Sequence, residues 1–297
     1  MGRTKTESYR EMNGKFCMIT GATSGIGAAT AIALAEQGAN TIIVGRSEEK
    51  CKRTVRRVTA GSGNHKVDYF IADLSSRKDI CQLAEQFKAR YDQLDVLVNN
   101  AGAKFLTRQE TVDGYEMTLA LNHLSYFLLT NLLIDSIKKS SKARIINVAS
   151  GSHGGCSGID FDDLQSEKEY TGKRAYAQSK LANILFTYEL ARRLEKTDVT
   201  VNALNPGGVA TGFCRNNGWV SWLKHVAYHF FSGDLAGPKK GARTSIYLAA
   251  SPEIEGISGK YFVDRKPVRS STASYDEDAA KRLWDVSLEL TGLPGSL

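Results

Sequence analysis

Two side chains capable of acid–base chemistry, Tyr176 and Lys180, lie four residues apart. The stretch that contains them has a strongly helical pattern, so both side chains project from the same face of a helix. A free tyrosine has a pKa of about 10 and is a poor base at neutral pH. A nearby ammonium group lowers that pKa and lets the phenol exchange a proton with an alcohol or a carbonyl. Because a Tyr and a Lys at this spacing often occur by chance, the pair needs support from the rest of the chain.

A glycine-rich turn near the N-terminus gives that support. The strand-like residues 15–20 run directly into Gly21, Gly25 and Gly27, and a helical stretch follows. Gly21 allows a tight turn, Gly25 lets the backbone approach a pyrophosphate, and Gly27 lets the helix pack closely on the strand. The free N–H groups at the start of such a helix bind phosphate. The spacing differs from G-x-G-x-x-G and glycines also form plain turns, but the position between strand and helix indicates a dinucleotide site.

The end of the second strand-like run bears on which dinucleotide binds. Residues 44–47 read VGRS, at the place where an acidic residue would bind the adenosine ribose hydroxyl of NAD. Gly45 removes the acidic group, and the planar guanidinium of Arg46 suits a phosphate. Three more basic residues follow: Lys50, Lys52 and Arg53. We therefore predict NADP(H) rather than NAD(H); the alternative is that Arg46 is only a solvated surface charge, as most arginines are.

The rest of the chain alternates short β-rich runs with longer helical stretches. The predicted strands cover 15–20, 40–44, 65–71, 94–99, 143–149, 198–204 and 259–264, and the clearest predicted helices cover 26–37, 47–58, 78–90 and 173–194. Apolar strands that alternate with helices indicate a parallel sheet covered on both faces. We predict an α/β fold with one doubly wound, Rossmann-type sheet of about seven strands. An extension at 1–14 precedes a single dinucleotide-binding domain at 15–297.

Composition excludes several other classes of protein. The 297 residues are 42% hydrophobic and 24% charged, which is typical of a globular protein and not of a disordered or fibrous one. No stretch approaches the roughly 18 uncharged apolar residues that a membrane-spanning helix needs. Residues 1–15 lack the apolar core of a signal peptide. We therefore expect a protein that neither spans a membrane nor is secreted.

Cysteine usage and charge narrow the choice of partners. The five cysteines include no C-x-x-C pair, which predicts reduced thiols, no metal site and a cytoplasmic location. His225 and His229 have zinc-ligand spacing but lack the glutamate of a metalloprotease helix. The net charge of +7 is compatible with nucleic acid, an anionic membrane or a phosphorylated cofactor. Since the basic residues are dispersed apart from one cluster beside the predicted phosphate site, we predict the cofactor and no nucleic acid.

Further motifs follow in order along the chain. They are Asp73-Leu74, Asn99-Asn100-Ala101-Gly102, Asn122, Ser150, Tyr176-Ala177-Gln178-Ser179-Lys180 and Asn205-Pro206-Gly207. With the glycine turn, this order resembles the short-chain dehydrogenase/reductase superfamily over about residues 15–264. The stretches 180–194, 258–266 and 282–292 are similar, more narrowly, to the retinol dehydrogenase branch.

This resemblance implies roles for individual residues. Tyr176 exchanges the proton, Lys180 supports it and binds the nicotinamide ribose, Ser150 stabilises charge on the reacting oxygen, and Asn122 positions a water in the proton relay. The residues implied to bind the cofactor are Gly21, Thr23, Ser24, Gly25, Ile26, Gly27, Arg46, Asp73 (adenine), Leu74, Asn99 (adenosine ribose), Ala101, Gly102, Tyr176, Lys180, Pro206, Gly207, Val209 and Thr211.

The chain departs from the simplest pattern of this superfamily at two places. Ser150 and Tyr176 are separated by a polar, glycine-bearing excursion at 151–172, and a similar insertion occurs in the retinol dehydrogenase branch. Ala149 stands where relatives often carry a second serine. Ser150 is therefore the only hydroxyl at that pair of positions.

The resemblance also implies a substrate lid at about 207–237. It carries the large aromatic residues Phe213, Trp219, Trp222, Phe230 and Phe231. An aromatic lining favours an apolar or extended carbonyl compound, and a closing lid excludes water. The same stretch also fits an ordinary amphipathic helix or a segment that lies on a membrane surface.

The sequence thus predicts an oxidoreductase that transfers a hydride between NADP(H) and an alcohol or carbonyl group. The expected substrate is a hydrophobic aldehyde, ketone or retinoid-like compound, with reduction as the net direction. The alternative is a non-enzymatic NADP-binding redox sensor or scaffold, although such proteins tend to lose the catalytic tyrosine or lysine. The resemblance also implies a homodimer formed through the long helices that carry Asn122 and Tyr176. Peripheral membrane contact through the lid stays open.

Overall fold

A computed structural model describes residues 11–208 and 237–295. Its eight strands are β1 (Phe16–Thr20), β2 (Asn40–Gly45), β3 (Val67–Ile71), β4 (Val96–Asn99), β5 (Arg144–Val148), β6 (Thr200–Asn205), β7 (Lys260–Val263) and β8 (Lys266–Val268). Its helices are α1 (Gly25–Glu36), α2 (Glu48–Ser62), α3 (Arg77–Arg90), α4 (Met117–Lys138), α5 (Gly172–Arg193), α6 (Pro238–Gly241), α7 (Arg243–Ala250) and α8 (Glu277–Thr291). The α/β fold and the seven predicted strands are confirmed, with ends that differ by at most two residues.

All eight strands form one sheet in the order β3-β2-β1-β4-β5-β6-β7-β8. The first seven pair in parallel, and β8 pairs antiparallel with β7. The count of seven was one short because the turn between β7 and β8 contains no glycine. Asp264 and Arg265 make this two-residue turn with φ of 46° and 66°, a conformation that usually calls for glycine or asparagine.

Both faces of the sheet are buried, as the apolar strands predict. On one face Met18 of β1 packs in a cluster with Phe127 of α4. On the other face the next residue, Ile19, packs in a second cluster with Leu34 of α1 and Leu248 of α7. This alternation follows from the two-residue period of a strand. The carboxyl ends of the strands therefore lie at one edge of a rigid layer.

The C-terminal helix α8 forms an additional layer outside α4 and α5. The Trp284 ring lies 4.9 Å from the Phe127 ring and 5.9 Å from the Phe186 ring, measured between centroids. Trp284 is buried. Helix α8 thus covers apolar surface that α4 and α5 share.

Helix α4 corrects the expectation that no stretch is long and apolar enough for a membrane. Within the described residues, Met117–Lys138 meets the length and composition of a span, with a mean hydropathy of 1.3 over 18 residues. In the fold, 78% of that window is buried inside the protein. A core helix passes the same test as a membrane span, so this finding is weak support for membrane insertion.

Candidate active site

The carboxyl ends of four neighbouring strands carry most of the candidate residues. β1 ends at Thr20, β4 at Asn99, β5 at Val148 and β6 at Asn205. Strand β1 lies between β2 and β4, so the order of the strands reverses at this point of the sheet. A crevice at such a switch point is where open α/β sheets bind their ligands.

Close backbone contacts keep side chains out of the glycine turn. Gly21 has φ +64°, and a Cβ atom at that position would lie 2.9 Å from Ala101 Cα. A Cβ atom at Gly27 would lie 2.7 Å from the Gly21 carbonyl oxygen. Gly25 has φ +57°, which residues with side chains rarely adopt. The turn therefore has the form of a cradle with bare backbone.

The start of α1 suits an anion. Ser24 precedes this helix in an extended conformation, and its side chain makes no capping hydrogen bond. The first N–H groups of α1, from Gly25, Ile26 and Gly27, therefore have no side-chain cap from Ser24. Thr23 completes the turn, and its carbonyl oxygen accepts a hydrogen bond from Thr54 of α2 at 3.3 Å. The bare cradle and this helix start fit a pyrophosphate.

Two residues without a predicted role join β1 to the loop after β4. The Thr20 hydroxyl accepts hydrogen bonds from the N–H groups of Asn100 (2.8 Å) and Ala101 (3.0 Å). The Asn100 side chain donates to the Thr20 carbonyl oxygen at 2.7 Å. Thr20 ends the first strand and Asn100 belongs to the Asn99–Gly102 motif, but only the pairing of β1 with β4 shows that together they fix the two loops that border the crevice.

The ends of β2 and β3 bring Arg46 and Asp73 together. Arg46 Nη1 lies 3.9 Å from Asp73 Oδ2, and the Arg46 side chain is 73% exposed. A Cβ atom at Gly45 would lie 2.5 Å from Thr23 Cγ2 and 2.9 Å from Cys51 Sγ, so position 45 has no room for an acidic side chain. Leu74, which follows Asp73, is buried. An exposed guanidinium thus stands directly after β2, beside the Asp73 carboxylate.

Lys180 and Tyr176 share one face of α5, as their spacing predicts. Lys180 Nζ lies 5.7 Å from the centroid of the Tyr176 ring and 5.6 Å from that of Tyr126. The same nitrogen donates to the Val148 carbonyl oxygen at 2.8 Å. Lys180 is only 3% exposed, and burial lowers its pKa to about 7. The cation is therefore held next to Tyr176 in a site from which water is largely excluded.

Tyr176 is less buried than the two tyrosines near it, Tyr126 and Tyr261. Burial raises the pKa of both Tyr126 and Tyr261 above the ordinary tyrosine value, and the charge of Tyr176 adds to each shift. Those two phenols therefore stay neutral. Tyr176 itself is only partly buried, so its hydroxyl is the one suited to exchange a proton with a bound molecule.

Asn122 occupies a π-helical turn, Ala120–Leu124, within α4. Its side-chain NH₂ group donates to the Ala103 carbonyl oxygen and to the Ser179 hydroxyl, both at 2.9 Å, and its oxygen accepts from the Ala103 N–H. The side-chain amide is thus engaged by protein groups, and the role of Asn122 in positioning a water stays a prediction. A Cβ atom at Gly102 would lie 3.1 Å from Asn122 Oδ1. The absence of a side chain at Gly102 therefore leaves room for the hydrogen bond between Asn122 Oδ1 and the Ala103 N–H.

Ser150 follows β5 and begins a short 3₁₀ turn, Gly151–Gly155. Its hydroxyl accepts a hydrogen bond from the Ser152 N–H at 3.2 Å and donates to the Ser152 hydroxyl at 3.3 Å. Ser150 is half-buried. The 151–172 excursion therefore starts with a turn that orients Ser150.

Comparison with known proteins decides the family. The family model of the short chain dehydrogenases matches residues 15–218. This chain belongs to the short-chain dehydrogenase family. It is therefore an oxidoreductase by family, and the resemblance seen in its motifs is confirmed.

Named relatives support the retinol dehydrogenase-like branch. The short-chain dehydrogenase is 40% identical to human retinol dehydrogenase 11, over 96% of this chain and 88% of the relative. It is 39% identical to human polyprenol dehydrogenase, over 94% of this chain and 86% of the relative.

Solved structures agree with the fold. An uncharacterized protein from Mycobacterium paratuberculosis has a TM-score of 0.77 and 30% identity, and all of both chains is covered. RhlG of Pseudomonas aeruginosa in complex with NADP has a TM-score of 0.69 and 27% identity, over 86% of this chain and 96% of that one.

Asn99 is a predicted site residue, but its side chain does not reach the crevice. The Asn99 amide is fully buried and donates to Thr130 at 3.0 Å and to Asn147 at 2.9 Å. Its side chain therefore points between β5 and α4. Contact of Asn99 with a ribose would have to come from its backbone.

The loop after β6 is described only in part. Pro206 follows β6, and the Gly207 N–H donates to the Asn205 side chain at 3.0 Å, with φ +78° at Gly207. Val209, Thr211 and nearly all of the predicted lid at 207–237, with its aromatic residues and the His225/His229 pair, lie outside the described residues. Within 11–208 and 237–295, three or more potential metal ligands do not cluster anywhere.

Proposed function

We propose that this short-chain dehydrogenase transfers a hydride between NADP(H) and the alcohol or carbonyl group of a hydrophobic substrate, with reduction as the net direction. The observation that carries the proposal is the Lys180 ammonium held 5.7 Å from the Tyr176 ring in a buried site. A non-enzymatic sensor of NADP would need Lys180 only as a contact of the ribose, so it gives no role to the Tyr176 hydroxyl beside that cation.

Tyr176, Lys180 and Ser150 divide the chemistry. The dinucleotide, when bound, supplies the hydride. Tyr176 donates a proton to the carbonyl oxygen of the substrate, and it removes one from the alcohol in the reverse direction. The Lys180 cation stabilises the tyrosinate that is left. The Ser150 hydroxyl donates a hydrogen bond to the reacting oxygen, where negative charge develops.

Other residues position these groups and hold the cofactor. Asn122 ties the Ala103 loop to Ser179 of the catalytic helix. The pyrophosphate is assigned to the turn Gly21–Gly27 and the adenosine end to Arg46 and Asp73. The nicotinamide end is assigned to Tyr176, Lys180, Pro206, Gly207 and Thr211, and Gly102 and Val209 are assigned to the cofactor as a whole.

The catalytic assignment is tested by Tyr176→Phe. This change removes only the hydroxyl, so we expect turnover to fall by at least about 100-fold, within the range known for general acid–base groups. The affinity for NADPH should change less than threefold, because the ring stays in place. NADPH oxidation and a fluorescence titration of NADPH measure the two quantities. Tyr247→Phe, at a half-buried tyrosine of α7 whose hydroxyl donates a hydrogen bond to Glu253, is the matched control. Substantial reductase activity in Tyr176→Phe would remove this residue from the mechanism.

The preference for NADP(H) is supported by the exposed Arg46 and by the lack of room for an acidic side chain at Gly45. Arg46→Asp should lower the ratio of kcat/KM for NADPH to that for NADH by about tenfold or more, since a charge-assisted contact with the 2′-phosphate is lost. Arg53→Asp makes the same charge change on α2 at an arginine that pairs with Glu49. An equal change of the ratio in both variants would show a general effect of charge and no specific contact at Arg46.

The substrate class is inferred from the relatives, which are named for retinol and polyprenol, both extended apolar alcohols. A screen of NADPH oxidation with retinal, aliphatic aldehydes, quinones and steroid ketones tests it, with NADH as the control. We expect the highest kcat/KM with a long apolar aldehyde or ketone. Turnover confined to small polar carbonyls would contradict the substrate class.

A further inference from the structure

His153 lies three residues after Ser150 and belongs to no motif of the sequence analysis. It is 5% exposed, in the 3₁₀ turn that Ser150 begins. Its ring lies edge-on to the Tyr261 ring of β7, with 5.0 Å between centroids. A histidine buried this deeply needs a partner for each ring nitrogen.

The two partners determine the tautomer of the ring. Nδ1 lies 2.7 Å from the carbonyl oxygen of Ser150, which can only accept, so Nδ1 carries the proton and donates. Nε2 accepts a hydrogen bond from the Ser271 N–H at 3.0 Å. Both bonds require a neutral ring protonated at Nδ1. Burial also lowers the pKa of His153, which favours the neutral form.

His153 fixes the Ser150 carbonyl from two directions. Its backbone N–H donates to that oxygen at 3.2 Å, in addition to Nδ1. A carbonyl held by two donors cannot rotate freely about the adjoining backbone bonds. Since the Ser150 side chain leaves the same residue, its direction is restrained as well.

The other end of the ring is anchored to the catalytic helix through the C-terminal segment. Ser270 precedes Ser271, and its hydroxyl forms a hydrogen bond of 2.7 Å with the Tyr188 hydroxyl of α5. The Ser270 hydroxyl also contacts Ser274 at 2.6 Å. His153 therefore links the Ser150 turn to a segment that is itself tied to the helix of Tyr176 and Lys180.

We propose that His153 is a positioning residue, which uses its Nδ1–H to hold Ser150 in register with the Tyr176/Lys180 face of α5. The inference rests on the proposed function of Ser150. His153 contacts neither substrate nor cofactor in this role. It acts through the backbone carbonyl of Ser150.

Three substitutions in the full-length protein separate the two hydrogen bonds. His153→Asn keeps an NH₂ donor near the position of Nδ1, His153→Gln keeps an acceptor near the position of Nε2, and His153→Phe keeps only the flat ring. We expect His153→Phe to lower kcat for the best carbonyl of the screen by about 10- to 100-fold, the loss that follows from misplacing a reacting group by about 1 Å. His153→Asn should recover most of that loss and His153→Gln should not. The KM for NADPH and its Kd should stay within about twofold in all three.

A kcat within twofold of the parent in His153→Phe would overturn the proposal, and so would equal recovery by Asn and Gln. Nitrogen-15 NMR of histidine-labelled parent protein gives a second readout that needs no turnover. We expect a protonated Nδ1 and an unprotonated Nε2 for His153 at pH 7, assigned by the signal missing from His153→Asn. The opposite tautomer or a charged ring would also overturn it. If the parent reduces no carbonyl at all, the proposed function fails while the NMR result still stands by itself.

Discussion

Lys180 illustrates how a single residue serves chemistry at the expense of stability. Its ammonium group is fully buried, with a hydrogen bond to Val148 O and the faces of two phenol rings nearby. Burial lowers its pKa to about 7, whereas an unfolded lysine titrates near 10.4. The unfolded chain therefore binds more protons than the folded one between these values. It follows that the folding stability of the parent rises with pH across this window.

Removal of the buried charge at Lys180 should raise the folding stability. Lys180→Met keeps an apolar side chain of similar length, so we expect the cofactor-free protein to become more stable by roughly 1–4 kcal/mol at pH 6. The advantage over the parent should shrink as pH rises from 7 towards 10, while turnover is lost throughout. Urea unfolding monitored at several pH values measures it.

Lys173→Met, at an exposed lysine in the first turn of the same helix, is the matched control and should show no such pH-dependent difference. Destabilisation by Lys180→Met at every pH would mean that the contacts of the ammonium group outweigh its burial. If the stability difference between Lys180→Met and the parent also stayed constant with pH, the pKa of Lys180 would not be lowered as described.

At the scale of elements, the junction of β1 and α1 depends on how closely two backbones approach. Gly27 stands where a Cβ atom would lie 2.7 Å from the Gly21 carbonyl oxygen and 2.6 Å from the Asn100 side chain. The first contact is with backbone, which cannot rotate away. The glycine turn thus requires glycine at this position so that α1 can pack on β1, whatever the turn binds.

Gly27→Ala should lower the free energy of unfolding by about 1–3 kcal/mol, the usual cost of overpacking, and weaken NADPH binding. Gly158→Ala, at a position where a Cβ atom meets nothing within 4 Å, is the control and should stay within about 0.5 kcal/mol. Chemical denaturation and an NADPH titration measure both effects. Equal stabilities of the two variants would show that β1 and α1 can separate without cost.

At the scale of the whole molecule, α8 changes the expectation of a dimer. The resemblance implies pairing through the helices that carry Asn122 and Tyr176, which are α4 and α5. Helix α8 lies on both, and Trp284 is buried against Phe127 of α4 and Phe186 of α5. Pairing through the surface that α8 covers would first have to expose these rings to water.

We therefore expect the protein to be a monomer in dilute solution. Size-exclusion chromatography with light scattering measures the mass directly. A mass of two chains that persists over a tenfold dilution would contradict this prediction. It would place the contact on a surface other than the one that α8 covers.

The local patterns of the chain were enough to predict four of the eight described helices, seven strands, the glycine turn and the Tyr176/Lys180 face. These features depend on the period of apolar residues and on the conformations open to glycine. Both are local properties, determined by residues that are close together in the sequence. The matching family model and relatives confirm the superfamily that those motifs resemble.

Other features depend on residues that are distant in sequence and meet only in the fold. Asn99 turns inward because Thr130 and Asn147 offer it partners, and His153 is neutral because Ser271, 118 residues later, donates to it. Burial and pKa are likewise properties of everything that surrounds a group, so no local pattern contains them. Sequence alone therefore determined which chemical groups this protein carries, and tertiary packing decided which of them face the crevice and in what charge state.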